Sequence, residues 1–289
     1  MVIVGLVYVK SLIYSKLFSC ETGMVSLLKH LRHVTKNQFM LNKFLLLTAF
    51  VTASFAFTTN LGSTANSSEK EEVAVEETSE ITKKALTADE EINILYKAFS
   101  ENNTSVPSLV SFKNALTGYA KLVEEGKIKK ELLTIVDFSL SSDNKRMWIL
   151  DMATNEVLYH TYVAHGRNTG GKMATKFSNK SNSFQSSLGF YVTAETYHGK
   201  NGLSLFIDGM EKGINSNARN RYVVMHGAAY ANPDFIQKTG RLGRSLGCPA
   251  IPQALTKEVI ELIKGESGLF IYHPNKDYAK NSKYINQAV

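Results

Sequence analysis

The chain is 289 residues long, 44% apolar, and carries a formal net charge of +7 with only two cysteines. That length and apolar share exclude a wholly disordered chain and allow one medium domain with extensions or two small ones. The basic residues are scattered singly and in pairs, with neither zinc-finger spacing nor an RNA-binding aromatic signature. No nucleic-acid partner is therefore expected, and the charge fits solubility or an anionic surface.

The first pattern is "MLNKFLLLTAFVTASFAF" at 40–57, a lysine followed by an apolar run and then small residues around Ser54-Phe55-Ala56. This is the layout of a secretory signal peptide. Its apolar core, 44–57, is shorter than the roughly 20 residues a membrane span needs. Residues 1–39 then read as an upstream extension ahead of a start at Met40, or as a long leading region. An uncleaved anchor is a third reading, and "LFSC" at 17–20 weakly resembles a lipoprotein site. The layout implies an exported protein of the periplasm or cell envelope, with no membrane partner beyond the signal segment. Cleavage near Ala56 would remove Cys20 and leave Cys248 as the lone thiol, so no internal disulfide could form. A lone thiol in an oxidising space is a liability unless it is buried or used.

Residues 58–88 are polar, acidic and Ser/Thr-rich, and read as a disordered linker. A helical segment follows at 89–128. "EINILYKAF" sets Ile92, Leu95, Tyr96 and Phe99 on one helical face, with Thr87 or Asp89 as cap. A second helix fits 107–126, with Pro107 near its start and Gly126 at its end. From 131 the texture becomes strand-like, at 132–140, 146–153 and 156–166, separated by turn residues. A Gly/Ser/Asn/Lys-rich stretch at 166–187 is too long for a tight turn, and loops of that length tend to be functional or mobile. Further strands fit 189–194, 203–208, 221–226 and 269–273. A short helix fits 256–265, with Thr256 as cap. Residues 276–289 read as a C-terminal tail. Many short strands without βαβ alternation predict a mainly β fold, a sandwich or barrel at 129–275 with a short helical N-terminal segment.

The chemistry centres on "GRSLGCPAIP" at 243–252. A free cysteine is most often a small buried hydrophobe. A cysteine nucleophile needs a base, an orienter for that base and donors for the oxyanion. The candidate bases are His160, His165, His198, His226 and His273. Of these, His226 ends the strand "RYVVMHG", where a rigid strand meets a loop that can return Cys248 beside it. Gly247 gives the backbone freedom for N–H groups of Gly247 and Cys248 to face a developing negative charge. Arg241 and Arg244 add positive potential that favours a thiolate. The competing reading is a Gly/Pro turn with a buried thiol and solvated arginines.

Together, "MHG" and "GRSLGCPA" resemble the murein L,D-transpeptidase catalytic domain family (the YkuD-like L,D-transpeptidase domain), whose signature is Ser/Thr-His-Gly-Cys. The resemblance spans roughly 130–275 and implies an L,D-transpeptidase-like β-sandwich or barrel. It implies Cys248 as nucleophile, His226 as its histidine, and Gly227 as orienter through its backbone carbonyl. Ser245 and Gly247 match two further signature positions. Leu246 stands where the signature carries histidine, so Arg244 becomes a candidate for recognising a substrate carboxylate. The substrate-binding candidates are Ser245, Arg244 and His198. The implied reaction is acyl transfer on peptidoglycan (murein) stem peptides through a Cys248 thioester, with no metal and no cofactor. An amine acceptor makes a transpeptidase and water an L,D-carboxypeptidase. Papain-like peptidases place their cysteine before the histidine, and a sortase usually has a longer gap and an arginine after its cysteine. A non-catalytic wall-binding β-domain remains the alternative from another class. The oligomeric state is left open.

Overall fold

The computed structural model describes residues 86–286, with each element set by its local chemistry. The upstream extension, signal segment, Cys20 and nearly all of the linker lie outside these residues. Among the described residues no helix is long and apolar enough to cross a membrane. Helix α1 spans Ala88–Asn102 and opens on a capping box. The Thr87 hydroxyl accepts the Glu90 amide at 3.3 Å, and the Glu90 carboxylate accepts the Thr87 amide at 2.7 Å. Two otherwise orphaned helix-end donors are thereby satisfied. Helix α2 spans Leu109–Glu124 from an N-cap at Ser108. The helices meet through Phe112, which takes Tyr96 and Phe99 edge-on at 5.2 and 5.5 Å. Each such buried ring contributes on the order of 1.5–3 kcal/mol.

The strands are β1 Leu132–Asp137, β2 Met147–Asp151, β3 Glu156–Thr161, β4 Gly189–Gly199, β5 Gly202–Gly209, β6 Val224–Ala228, β7 Ala250–Pro252 and β8 Gly268–Tyr272. They form a sheet of order β3-β2-β1-β8-β4-β5-β6-β7. Its β1–β8 and β6–β7 pairs are parallel, and the others are antiparallel. The chain after β3 reaches the opposite edge. Ala164 bridges Ala250 of β7, with Ala164 N–H donating to Ala250 O at 2.8 Å. The first and last strands therefore nearly close the sheet into a barrel, which removes exposed edges. This is the mainly β barrel-like fold expected from the strand pattern.

Helix α2 covers β1 and β8. A side chain at Gly118 would run into the Phe190 ring, which itself stacks on Phe270 at 4.2 Å. Two shorter helices complete the domain before the C-terminus, α3 at Pro233–Thr239 and α4 at Thr256–Ile263. Helix α5, Lys276–Asn281, lies where a tail was expected. Its Tyr278 and the following Ser282 and Tyr284 are buried. The reason is Glu211, a buried carboxylate that accepts from Phe190 N (2.7 Å), Tyr278 Oη (3.1 Å) and the Ser282 hydroxyl. Buried carboxylates persist only when so satisfied. Thr256 is also not a cap. It lies inside α4 and its hydroxyl donates back to Pro252 O at 3.4 Å. Strand β7 and helices α3 and α5 have no counterpart among the expected elements.

Candidate active site

The site forms at the β6–β7 edge. His226 lies on β6, paired with Ser204 of β5 on one side and Ala250 of β7 on the other. That parallel pairing brings Cys248, two residues before Ala250, alongside the start of β6. The Cys248 thiol donates to the Tyr222 carbonyl at 3.4 Å, and its sulfur accepts the Val224 amide at 3.5 Å. Tyr222 holds a left-handed φ of 51°, a strained conformation of the kind concentrated at functional sites. Cys248 keeps part of its surface open, while the surrounding protein desolvates the thiol and pushes its pKa up. The Val224 amide and the charge of Arg221 act in the opposite direction.

His226 is only 3% exposed. Its Nδ1–H donates to the Gly227 carbonyl at 3.0 Å, which leaves Nε2 as the acceptor nitrogen. No hydrogen-bond partner for Nε2 occurs among the described residues. Burial pulls the imidazole pKa below its ordinary value. Both shifts favour the uncharged forms, a protonated thiol and an imidazole whose second nitrogen is an acceptor. Gly227 is required by close approach, because a Cβ there would stand 1.8 Å from Thr256 Oγ1.

The turn carrying Cys248 is built by hydrogen bonds. Ser245 Oγ donates to Cys248 O at 2.6 Å and accepts Gly247 N–H at 3.0 Å. Gly247 has φ +127°, a backbone region that favours glycine, and its carbonyl accepts Ser186 Oγ–H at 3.0 Å. The expected site residues thus separate into groups. His226, Gly227, Gly247 and Cys248 are brought together. Ser245 is 5% exposed and spends its hydroxyl inside the turn, so it braces the loop rather than facing substrate. The Gly247 amide is committed to Ser245, while the Cys248 amide lies by its own sulfur. Arg244 is exposed but points its Nη1 at the carbonyls of Arg167 and Gly170, at 3.2 and 3.1 Å. Leu246 is 60% exposed, two residues before Cys248.

His198 does not reach the site. It pairs with Leu203 near the β4–β5 hairpin, one residue beyond Tyr197, which shares the Ser204–His226 rung. Side chains alternate along a strand, so His198 faces the other side of the sheet from His226. Among the described residues, no hydrogen bond joins the other histidine rings to Cys248 or His226, although the His165 carbonyl accepts the Ser245 amide at 3.0 Å. His160 stacks on Trp148 at 4.6 Å, and His273 packs on Phe177 at 5.0 Å. His165 is held between Arg146 and Gly171 O. Arg221 went unnoticed in the sequence. Its four donor contacts tie down the 166–187 loop, at Ser178 O (2.8 Å), Ser187 Oγ (2.7 Å), Ser183 Oγ (3.3 Å) and Gln185 O (2.7 Å). Only its position three residues before β6 hinted at a role.

A nearly closed barrel carries a carbonyl-tethered histidine on β6 and a cysteine in the turn leading into the neighbouring β7, the groups that thiol acyl transfer requires. The model of the L,D-transpeptidase catalytic domain matches residues 103–272, and the chain belongs to that family. Solved structures with similarity include an L,D-transpeptidase from Mycobacterium smegmatis, at 12% identity and TM-score 0.31. That match covers 50% of this chain and 59% of the mycobacterial one. An Enterococcus faecium L,D-transpeptidase is similar at 15% identity and TM-score 0.29, over 50% of each chain. One from Stackebrandtia nassauensis is similar at 11% identity and TM-score 0.31, over 64% of this chain and 78% of that one. No curated protein sequence matches the chain.

Proposed function

We propose that this protein is a cysteine L,D-transpeptidase acting on peptidoglycan stem peptides. One observation carries the reading. Cys248 Sγ lies against β6 between the Tyr222 carbonyl and the Val224 amide, on the strand whose His226 keeps Nε2 free. With the thiol raised and the imidazole lowered, the resting pair is uncharged. His226 Nε2 takes the thiol proton as sulfur attacks the carbonyl of an L,D-peptide bond. The Cys248 amide receives the developing oxyanion. As the C–N bond breaks, His226 protonates the departing D-amino acid and leaves a Cys248 thioester. An acceptor amine then attacks the thioester, forms a new amide and returns its proton through His226. Water in place of the amine gives an L,D-carboxypeptidase from the same acyl-enzyme.

The apolar 44–57 segment and the linker after it support action in the cell envelope, where peptidoglycan lies. The test is release of D-alanine from tetrapeptide-containing muropeptides, read by mass spectrometry. Cross-linked dimers identify transpeptidation, and tripeptides alone identify the carboxypeptidase. Cys248→Ala should lower turnover by at least about 10³-fold with stability changed by less than about 1 kcal/mol. A Cys248→Ala protein that retains turnover overturns the mechanism.

A further inference from the structure

Two arginines of one segment, Arg219 and Arg221, meet opposite electrostatic fates. Arg219 donates Nε and Nη2 to Asp208 at 2.5 and 2.7 Å and reaches Glu195 through Nη1 at 2.5 Å. Its charge is fully answered by two carboxylates. Arg221 is half-buried and makes no ion pair among the described residues, since all its acceptors are carbonyls or hydroxyls. Burying a guanidinium without a counter-charge is costly. An acidic group beside such a guanidinium is favoured in its ionised form. The candidate anion is the nucleophile itself. Arg221 directly precedes Tyr222, whose carbonyl accepts a hydrogen bond from the Cys248 thiol. Its Nη2 also lies 3.4 Å from the position a Cβ would take on Gly247, the residue before Cys248.

We infer that Arg221 is a positioning residue whose uncompensated charge stabilises the Cys248 sulfur as an anion. This rests on Cys248 being the nucleophile proposed above. It also gives the guanidinium two linked tasks: its hydrogen bonds hold the 178–187 stretch in place, and its charge favours the reactive state of the sulfur. The other titratable groups around the sulfur supply no such charge at rest. His226 is neutral, and Tyr230 keeps its proton because burial raises its pKa to about 12. Arg244 is exposed and turned toward the 166–171 loop.

The test reads the sulfur without substrate. Iodoacetamide labelling of the full chain is followed from pH 6 to 10.5, and the peptide containing Cys248 is quantified by mass spectrometry so that Cys20 does not interfere. Arg221→Gln should raise the labelling midpoint by about one pH unit, or about tenfold slower labelling at pH 8. Ser187→Ala removes one tie to the loop but keeps the charge, and should leave the midpoint in place. An unmoved midpoint in Arg221→Gln overturns the inference, as does an equal shift in Ser187→Ala, which would assign the effect to loop geometry. Should Arg221→Gln fail to fold, Arg221→Lys decides. A midpoint within half a unit of wild type supports the charge role, and a full-unit rise overturns it. If wild-type Cys248 is inert at every pH, the nucleophile reading fails instead. A reactive thiol indifferent to Arg221 refutes only this inference.

Discussion

Two buried histidines on opposite sides of the barrel seam show what distinguishes a site from a brace. At the chain crossing after β3, His165 has both ring nitrogens engaged. Its Nδ1 accepts from Arg146 Nη2 at 2.9 Å, and its Nε2–H donates to Gly171 O at 3.2 Å. Arg146 is itself fully buried and spends its other donors on the Val163 and Leu140 carbonyls. Across the seam, His226 has one nitrogen tied to Gly227 O and the other free. Both rings are desolvated, and both have lowered pKa values. The difference lies in unspent hydrogen-bonding capacity. A histidine with both nitrogens occupied fixes a loop, whereas one with a single free acceptor nitrogen can move a proton.

The comparison breaks most directly at the rings themselves. His226→Ala should lower turnover by about 10²–10⁴-fold, while His165→Gln should cost at least tenfold less. Equal losses would erase the distinction, and steady-state assay of both variants on muropeptides decides it. A smaller effect sharpens the brace. Burial lowers the His165 pKa from 6.5 to about 4. Below pH 6.5 the unfolded chain therefore binds a proton that the folded chain refuses until about pH 4. Stability from this group is complete above 6.5 and lost as pH falls toward 4, by about 3 kcal/mol. Denaturant titrations at pH 7 and 4.5 should show that His165→Gln loses less stability on acidification than wild type. A wild-type slope retained in the variant removes His165 from the account.

The smallest effect concerns Gly227, whose carbonyl holds the His226 ring. Gly227→Ala drives a methyl into Thr256 Oγ1 and should cost about 1–3 kcal/mol. The companion Thr256→Ala change should restore part of the loss. Thermal melts of the single and double variants check this, and a Gly227→Ala protein as stable as wild type shows that the contact relaxes freely.

Much of the site was legible before any coordinates. Cys248 stood out because it is the lone thiol downstream of the signal pattern, and His226 because the strand pattern reads as ending there at a glycine, although β6 continues to Ala228. Both signals are local. The helix starts were partly local too. Thr87 and Asp89 both read as caps for α1 and the capping box with Glu90 picks Thr87, whereas Thr256 looks like a cap and is not one. His198 misled because neither strand register nor facing direction is visible from a lone residue. Ser245 misled because matching a motif position does not reveal that its hydroxyl is already spent on Gly247 and Cys248. Strand β7 was hidden because three residues containing a proline read as a turn.

By itself, the sequence determined the strand-rich class, the two helices before the strands, the family resemblance and the candidate cysteine and histidine. Short-range periodicity and turn chemistry encode these features within a few residues. Only the tertiary structure decided that the chain after β3 meets β7 at Ala164 and Ala250, that Glu211 anchors the C-terminal segment, and that Arg219 is neutralised while Arg221 is not. Each of these depends on groups far apart in the chain, at least 11 residues and as many as 86. Their energy comes from burial and charge pairing that exist only once the barrel has closed.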